Sequence, residues 1–378
     1  MESVYIIDAT RLPIGKYGGV LAKVSPEELG GSLLKELLQR NNLHNVDEVI
    51  IGNVVGGGGN LGRRVTLASG LPVEVPAFTI DRQCASGLES ILLASAKIKS
   101  GMADCIACGG VESTSRAPWL MERPKRLYGS NPQILARAPL SIESYGDPAM
   151  GEACEKLAQK LKISREEQDE YAYQSQKKYQ AAQIASVFQN EITPFRTVTE
   201  DESPRPNTSR EKLAALPPVF QKNGTLTAGN CCPLNDGAAF LLVANANFCR
   251  TYQIKPLAEI IDGTSVGILP AEFILGPVYA TEKLLQKNQL SIAEIDRIEV
   301  NEAFAAQTIA CVSVGKWPKE RINSSGGALA FGHPFGATGA ILVRRLLTEL
   351  QQKQQLEIGL VTMCVGGGQG TSLLLRKV

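Results

Sequence analysis

Two distant stretches of the chain carry the same order of apolar and polar positions. Leu37-Leu38-Gln39-Arg40-Asn41-Asn42-Leu43 leads into Val46-Asp47-Glu48-Val49-Ile50-Ile51-Gly52-Asn53. Leu284-Leu285-Gln286-Lys287-Asn288-Gln289-Leu290 leads into Ile295-Asp296-Arg297-Ile298-Glu299-Val300-Asn301. Each reads as a helix end, a short turn and a buried strand. The match continues downstream. Cys84-Ala85-Ser86-Gly87 opens an apolar helix reaching Ile98, and His333-Pro334-Phe335-Gly336 opens another reaching Leu350. A strand and a glycine turn follow each helix, at Cys105-Ile106-Ala107-Cys108-Gly109-Gly110 and at Leu360-Val361-Thr362-Met363-Cys364-Val365-Gly366-Gly367. A period of about 250 residues is far too long for a solenoid. Alternating strands and helices in both copies predict a duplicated, layered α/β domain.

The text between the copies differs. From Glu112 to Asn235 it is rich in Pro, Arg and Ser. Ser164-Arg165-Glu166-Glu167 is a capping box that starts a helix running to about Gln183. Asp201-Glu202-Ser203-Pro204-Arg205-Pro206 reads as a loop. The expected division is a first half at 1–112 and 235–257, an inserted loop domain at 113–234, and a second half at 258–378. A length of 378 residues suits such a multi-domain chain.

Composition narrows the function classes. The net charge of +1 carries no strong field, so no nucleic-acid partner is expected. The run Arg123-Pro124-Lys125-Arg126 reads equally as an anion contact or a solvated loop. Met1-Glu2-Ser3-Val4-Tyr5-Ile6-Ile7 lacks a basic segment followed by a long apolar one, so no signal peptide is expected. No apolar run is long enough to span a bilayer. Nine cysteines, an odd number, are scattered along the chain; this fits a reducing compartment, and the expected location is cytoplasmic. The only histidines are His44 and His333, which excludes a multi-histidine metal site.

The repeat puts Cys84 and His333 at equivalent helix starts. Free N–H groups and partial positive charge there favour a thiolate. If the halves pack by pseudo-twofold symmetry, a thiol faces an imidazole, which activates a cysteine nucleophile. The plainer reading is a buried small residue and a helix cap; the symmetric placement favours chemistry. Gly326–Gly332 lets the backbone come close to a ligand, and Pro334 suits the first helical position. Cys364, at a strand end before glycines, reads as an acid–base thiol or as a buried turn residue, and the glycine N–H groups can hold an oxyanion. Asn301-Glu302-Ala303-Phe304 ends a strand and reads as a water- or substrate-orienting group or as satisfied turn residues. Gly57-x-Gly59-x-x-Gly62 matches a dinucleotide fingerprint, but it lies in a run of four glycines that matches many patterns by chance. Cys105-x-x-Cys108 lies inside an apolar strand and reads as structural. Cys231-Cys232 has no partner pair at zinc spacing.

Four segments together resemble the thiolase family. Asp81-Arg82-Gln83-Cys84-Ala85-Ser86-Gly87-Leu88 is similar to its nucleophile motif. Asn301-Glu302-Ala303-Phe304, Gly332-His333-Pro334 and Cys364-Val365-Gly366-Gly367-Gly368 are similar to the other three, in the family's order and across nearly the whole chain. The resemblance implies a thiolase-like fold of duplicated α/β/α/β/α half-domains with an inserted loop domain. It implies that Cys84 takes the acyl group as a thioester, that His333 raises its nucleophilicity and that Cys364 moves the α-proton. It also implies that Asn301 holds a water that forms one oxyanion site with His333, while the N–H groups of Cys84 and Gly366 form the other. The resemblance also places Met150, Arg205, Ala228, Cys232 and Phe304 at positions that contact coenzyme A in the family. Lys212 stands where a small polar residue is common, Cys232-Pro233 replaces a Ser-Gly pair, and Ala149 replaces a frequent His. These departures leave acyl chain length and tetramer formation open.

The activity so implied is acetyl-CoA C-acetyltransferase, a reversible Claisen condensation of two acetyl-CoA to acetoacetyl-CoA and CoA. The alternatives are a longer-chain 3-ketoacyl-CoA thiolase and a non-catalytic acyl-CoA- or lipid-binding relative. A condensing enzyme that uses an acyl-carrier protein is disfavoured by Cys364, and a cysteine hydrolase lacks any motif beyond Cys and His. The implied partners are acyl-CoA, CoA and a second copy of the chain, as a homodimer or homotetramer. Membrane, metal and tightly bound cofactor are not expected.

Overall fold

In the computed structural model of the chain, residues 2–124, 126, 128, 129 and 131–378 are described. Met1 and Lys125, from the N-terminal and basic stretches above, lie outside them. The first half contains β1 (Val4–Arg11), β2 (Gly15–Lys16), α1 (Pro26–Arg40), β3 (Glu48–Gly52), α2 (Leu61–Ser69), β4 (Ala77–Ile80), α3 (Ser86–Lys99) and β5 (Cys105–Ser113). The segment up to residue 234 adds, besides two short 3-10 turns, the small hairpin β6 (Met121–Glu122) and β7 (Gln133–Ile134), then α4 (Met150–Lys160), α5 (Arg165–Ile184) and α6 (Arg210–Ala214). There follow β8 (Asn235–Asn245), α7 (Ala246–Thr251), β9 (Ala258–Gly267), α8 (Gly276–Lys287), β10 (Arg297–Val300), α9 (Ala305–Gly315), α10 (Ala328–Phe331), α11 (Phe335–Gln352), β11 (Ile358–Val365) and β12 (Gln369–Lys377).

The duplication is visible in the sheet. The strand order is β4-β3-β5-β8-β1 and then, in mirrored sequence, β9-β12-β11-β10, with β2 added on β8. The pairs β3/β5 and β10/β11 are parallel, whereas β5/β8, β8/β1, β11/β12 and β12/β9 are antiparallel. The halves join where Tyr5 pairs with Glu259 and Ile6 with Ala258. The second half replaces β4 by a single bridge, Ile298 to Ile322.

Helices α3 and α11 pack on each other between the two halves of the sheet, with α1 and α2 outside one half and α8 outside the other. This gives five alternating layers. The central contact is made by small residues. A Cβ on Gly87 would lie 2.5 Å from the Gly336 carbonyl oxygen; one on Gly110 would collide with that same carbonyl, and one on Gly339 with the Leu88 backbone. Only glycine lets the two backbones approach this closely.

The inserted segment is tied down by charge. Arg11, fully buried, makes a bidentate pair with Asp201 at 2.7 and 3.0 Å, and the Tyr179 hydroxyl donates to the same carboxylate at 2.7 Å. Asp201 thus lies in a loop, as its sequence suggests, but in a buried one. The capping box at Ser164 and Glu167 forms, and α5 runs to Ile184.

Gly110→Ala should lower stability by about 3 kcal/mol, the cost of overpacking against backbone that cannot move aside. The midpoint of urea unfolding should fall; an unchanged midpoint would show that the helix contact is looser than described.

Candidate active site

Cys84 and His333 each sit two residues before their helix, α3 at Ser86 and α11 at Phe335. Pro334 is therefore the N-cap, one position earlier than its sequence suggests, and Phe335 takes the first helical position. The Cys84 turn is held from three sides. Gln83 has φ +47°, its N–H donates to Asp81 Oδ1 at 2.6 Å, and the Ser86 hydroxyl accepts from the Arg82 N–H at 2.8 Å while donating to the Gln83 carbonyl at 2.6 Å. A side chain at positive φ stores strain, and here the hydrogen bonds around it hold that conformation in place.

The backbone N–H groups of Cys84 and Gly366 both donate toward the Cys84 sulfur. Gly366 begins the turn after β11. The next residue, Gly367, has φ +83°, and a Cβ on it would strike the Leu140 carbonyl oxygen at 2.6 Å. The glycines after Cys364 are thus required by backbone conformation and by a covering loop. That loop is closed by an Arg137–Asp147 ion pair at 2.9 Å and by the Leu140 N–H on Asp147 at 3.1 Å. Cys364 is fully buried, and that burial raises its thiol pKa, with a smaller contribution from charge on Cys84, the nearest in effect of four cysteines.

His333 is almost fully buried, and its ring is fixed at both nitrogens. The Thr338 hydroxyl donates its single proton to the Pro334 carbonyl at 2.9 Å, so it must accept from His333 Nδ1 at 2.7 Å. The tautomer is therefore Nδ1–H with a bare Nε2, which meets the Asn301 amide nitrogen at 3.3 Å. Among the described residues the buried Asn301 Oδ1 atom has no hydrogen-bond partner. A buried acceptor left so costs ~1–3 kcal/mol, and a bound water would satisfy it. Asn235 accepts from the His333 N–H at 2.9 Å and donates to the Gly15 carbonyl and the Ser203 hydroxyl, anchoring this strand from behind.

Two expectations need correction. Among the described residues no hydrogen bond joins Cys84 to His333: the helix starts touch, but the thiol and ring do not pair. Nor is Cys84 a preformed thiolate. Burial pushes its thiol up to about 12, against the lowering effect of the two N–H groups, and burial holds His333 down to about 3. Desolvation outweighs the helix terminus here, and the free site is neutral thiol and neutral imidazole.

The five positions matched to coenzyme A contacts separate into two places. Met150, Cys232 and Phe304 pack in the apolar cluster that contains Cys364. Phe304 meets Phe220 and Phe273 edge-on at 6.1 and 6.3 Å, and the Cys232 N–H donates to the Ala303 carbonyl at 3.0 Å. Arg205 and Ala228 instead line a separate cavity of ≈ 330 Å³. His44 is exposed on the turn after α1. Cys105 and Cys108 are buried within β5 and Glu302 is bonded to Tyr171, Ser175 and Asn323, so all three read as structural. Among the described residues no cluster could hold a metal ion, and no helix is long and apolar enough to cross a membrane.

Glu112 escaped the sequence reading. Fully buried at the end of β5, it accepts from Asn53 Nδ2 at 2.7 Å, Val54 N at 3.0 Å, Val55 N at 3.1 Å and Gly336 N at 2.8 Å. It clamps the first turn of α11 to the first half. Burial pushes its carboxyl up to about 7. The only sequence signal was a carboxylate ending an otherwise apolar strand.

Residues 4–247 match the family model of the thiolase N-terminal domain and residues 254–377 that of the thiolase C-terminal domain. The chain belongs to the thiolase family. It is 40% identical over 402 residues to the beta-ketoadipyl-CoA thiolase of Acinetobacter baylyi and 40% identical over 398 residues to the acetyl-CoA acetyltransferase of Escherichia coli, covering 100% of each chain in both cases. The crystal structure of human mitochondrial 3-ketoacyl-CoA thiolase superposes with a TM-score of 0.94 at 36% identity, over 100% of this chain and 99% of that one. This thiolase is accordingly an acyltransferase acting on coenzyme A thioesters, and its fold is the layered α/β fold of the family.

Two results should follow from the site's electrostatics. Alkylation of Cys84 by iodoacetamide, followed by peptide mass spectrometry, should accelerate roughly tenfold per pH unit from pH 7 to 10, because the raised pKa leaves little thiolate; a plateau reached by pH 7 would contradict it. Thr338→Val should lower kcat by up to about 100-fold through loss of ring orientation, with KM little changed and Thr338→Ser restoring activity. Equal loss in both variants would mean the hydroxyl does not set the tautomer.

Proposed function

We propose that the chain is an acetyl-CoA C-acetyltransferase working through an acyl-Cys84 intermediate. The observation that carries this reading is the convergence of Gly366 N–H and Cys84 N–H on the Cys84 sulfur, with the buried Cys364 thiol within electrostatic reach of Cys84. The thiol attacks the thioester carbonyl, its proton passes to the bare Nε2 of His333, and the oxyanion rests on the two N–H groups. Loss of one such donor typically costs roughly 10²–10³ in rate. The oxyanion collapses and expels the thiolate of the first coenzyme A, which takes the Cys364 proton and leaves as CoA. The Cys364 thiolate so formed takes the α-proton of the second acetyl-CoA. The enolate oxygen is held by His333, still protonated at Nε2, and by a water on Asn301 Oδ1, an atom with no partner among the described residues. The carbanion attacks the acyl-enzyme and expels Cys84, which recovers its proton from His333.

A short acyl unit is supported by the space beside the Gly366–Gly367 turn. There the Leu140 side chain lies close to Gly366 and the Leu140 carbonyl close to Gly367. Longer 3-ketoacyl chains require that loop to move. Residues 113–234 are read as the coenzyme A-binding insertion, in a cytoplasmic homodimer or homotetramer with no bound cofactor.

After incubation with acetyl-CoA, Cys364→Ala should carry an added acetyl group on Cys84 but fail to condense, and Cys84→Ala should remain unlabelled. Thiolysis of 3-ketoacyl-CoA by the parent should fall sharply beyond four carbons. Unlabelled Cys364→Ala would reject the division of labour, and equal rates on long chains would replace the acetyl reading with the 3-ketoacyl one.

A further inference from the structure

Glu302 follows Asn301, and the bonds that brace it also run toward both groups that hold the enolate oxygen. It is buried, and its carboxylate accepts four hydrogen bonds. Oε1 takes the Tyr171 hydroxyl at 2.9 Å and an Asn323 amide N–H at 2.8 Å. Oε2 takes the Ser175 hydroxyl at 2.7 Å and the Leu329 backbone N–H at 3.2 Å. Gly327 leaves room for the group, since a Cβ there would lie 2.2 Å from the carboxylate carbon.

Asn323 carries the effect to Asn301. Its side-chain oxygen accepts from the Val300 N–H at 2.9 Å, and its amide nitrogen donates to the Val300 carbonyl at 2.9 Å as well as to Glu302. Both backbone polar groups of the residue before Asn301 are thereby held. On the other side, Leu329 belongs to α10, whose cap Gly332 directly precedes His333. Tyr171 and Ser175 belong to α5 of the inserted segment, and the Ser175 hydroxyl also accepts from the Gly327 N–H at 3.0 Å. One carboxylate therefore joins the turn bearing Asn301, the approach to His333 and the insertion.

Only a carboxylate meets this demand. All four partners donate, and two of them cannot reverse. The Leu329 N–H has no acceptor to offer, and the Asn323 amide cannot flip without turning its NH2 to the Val300 N–H. These two sit on different oxygens of Glu302. An amide at position 302 has a single oxygen, so in either orientation its NH2 faces one fixed donor.

We propose that Glu302 is a positioning residue for the enolate step: through Asn323 and the Val300 backbone it aims the Asn301 side chain, and with it the water on the enolate oxygen. This rests on the acyl-enzyme chemistry proposed above. The His333 ring is oriented separately, by Thr338, and the oxyanion of the acylation step is assigned to the Cys84 and Gly366 N–H groups. The first half-reaction therefore does not depend on Glu302.

The test separates the two half-reactions in Glu302→Gln. Acetylation of Cys84 by acetyl-CoA, followed by mass spectrometry, should keep the parent's rate. Formation of acetoacetyl-CoA should lose up to about 100-fold in kcat, the cost of misplacing a group by about 1 Å, with KM little changed. Added to Asn301→Ala, the same substitution should cost less than about twofold further, because a residue that acts through Asn301 then has nothing to act on. Tyr171→Phe removes one donor and spares the carboxylate. It should show the same split with a roughly two- to fivefold loss, and it decides the question if Glu302→Gln does not fold. Equal losses in both half-reactions would mark a structural role and overturn the proposal. So would an unchanged condensation rate, or losses that multiply with those of Asn301→Ala. A parent enzyme not acetylated on Cys84 would instead reject the acyl-enzyme reading, and the proposal with it.

Discussion

The backbones of α3 and α11 touch, and the positions of the reacting groups follow from that contact. Gly87 and Gly339 leave no side chain between the helices, while Gly110 of β5 and Gly336 let that strand and the end of β3 lie against the first turn of α11. Because Cys84 and His333 each precede their helix by two residues, fixing the helices fixes both. Glu112 adds a polar clamp at the same junction, receiving N–H groups from β3's exit loop and from the first turn of α11. The symmetry axis that buries two apolar helices thereby brings two unlike residues, Cys84 and His333, to the same place.

That placement sets the electrostatics. The thiols of Cys84 and Cys364 are buried, which makes charge on them unfavourable, and burial holds the imidazole of His333 neutral. A dry, neutral resting site strengthens every hydrogen bond made to a developing oxyanion. Its stability depends on satisfying the polar groups it does contain, and Thr338, Asn235 and Ser86 do this with full hydrogen bonding. Asn301 Oδ1 is the exception, and it is the atom at which a water would enter the chemistry.

Much of this was legible in the sequence because duplication leaves two copies of one pattern. The helices after Cys84 and His333 and the strands before and after them fell where the repeat placed them. The Cys84 turn, Asn301 and the glycines after Cys364 lie in segments that local motifs singled out. Other features depend on distances in space that no local pattern encodes. The helix terminus suggested a thiolate at Cys84, but burial by the opposite half reverses that effect. Pro334 looked like a first helical residue, yet the chain bends one position later. Thr338 reads as an ordinary helix residue until its single proton is traced to Pro334. Leu140 lies in a stretch with no periodicity and matters only because it rests on Gly366 and Gly367. Arg205 and Ala228 look like neighbours of Met150 and Phe304 in a motif table, but they open onto a different cavity, because the turn at 228–232 has two faces.

The most direct test of the central claim is a crystal structure of the enzyme trapped after exposure to acetyl-CoA. The account predicts a thioester on the sulfur at position 84, its carbonyl oxygen within about 3 Å of the main-chain nitrogens of residues 84 and 366. The sulfur at position 364 and the ring at position 333 should both face the acetyl methyl group. An acetyl oxygen turned toward solvent, or a ring at 333 shielded from the acyl group by intervening side chains, would contradict it.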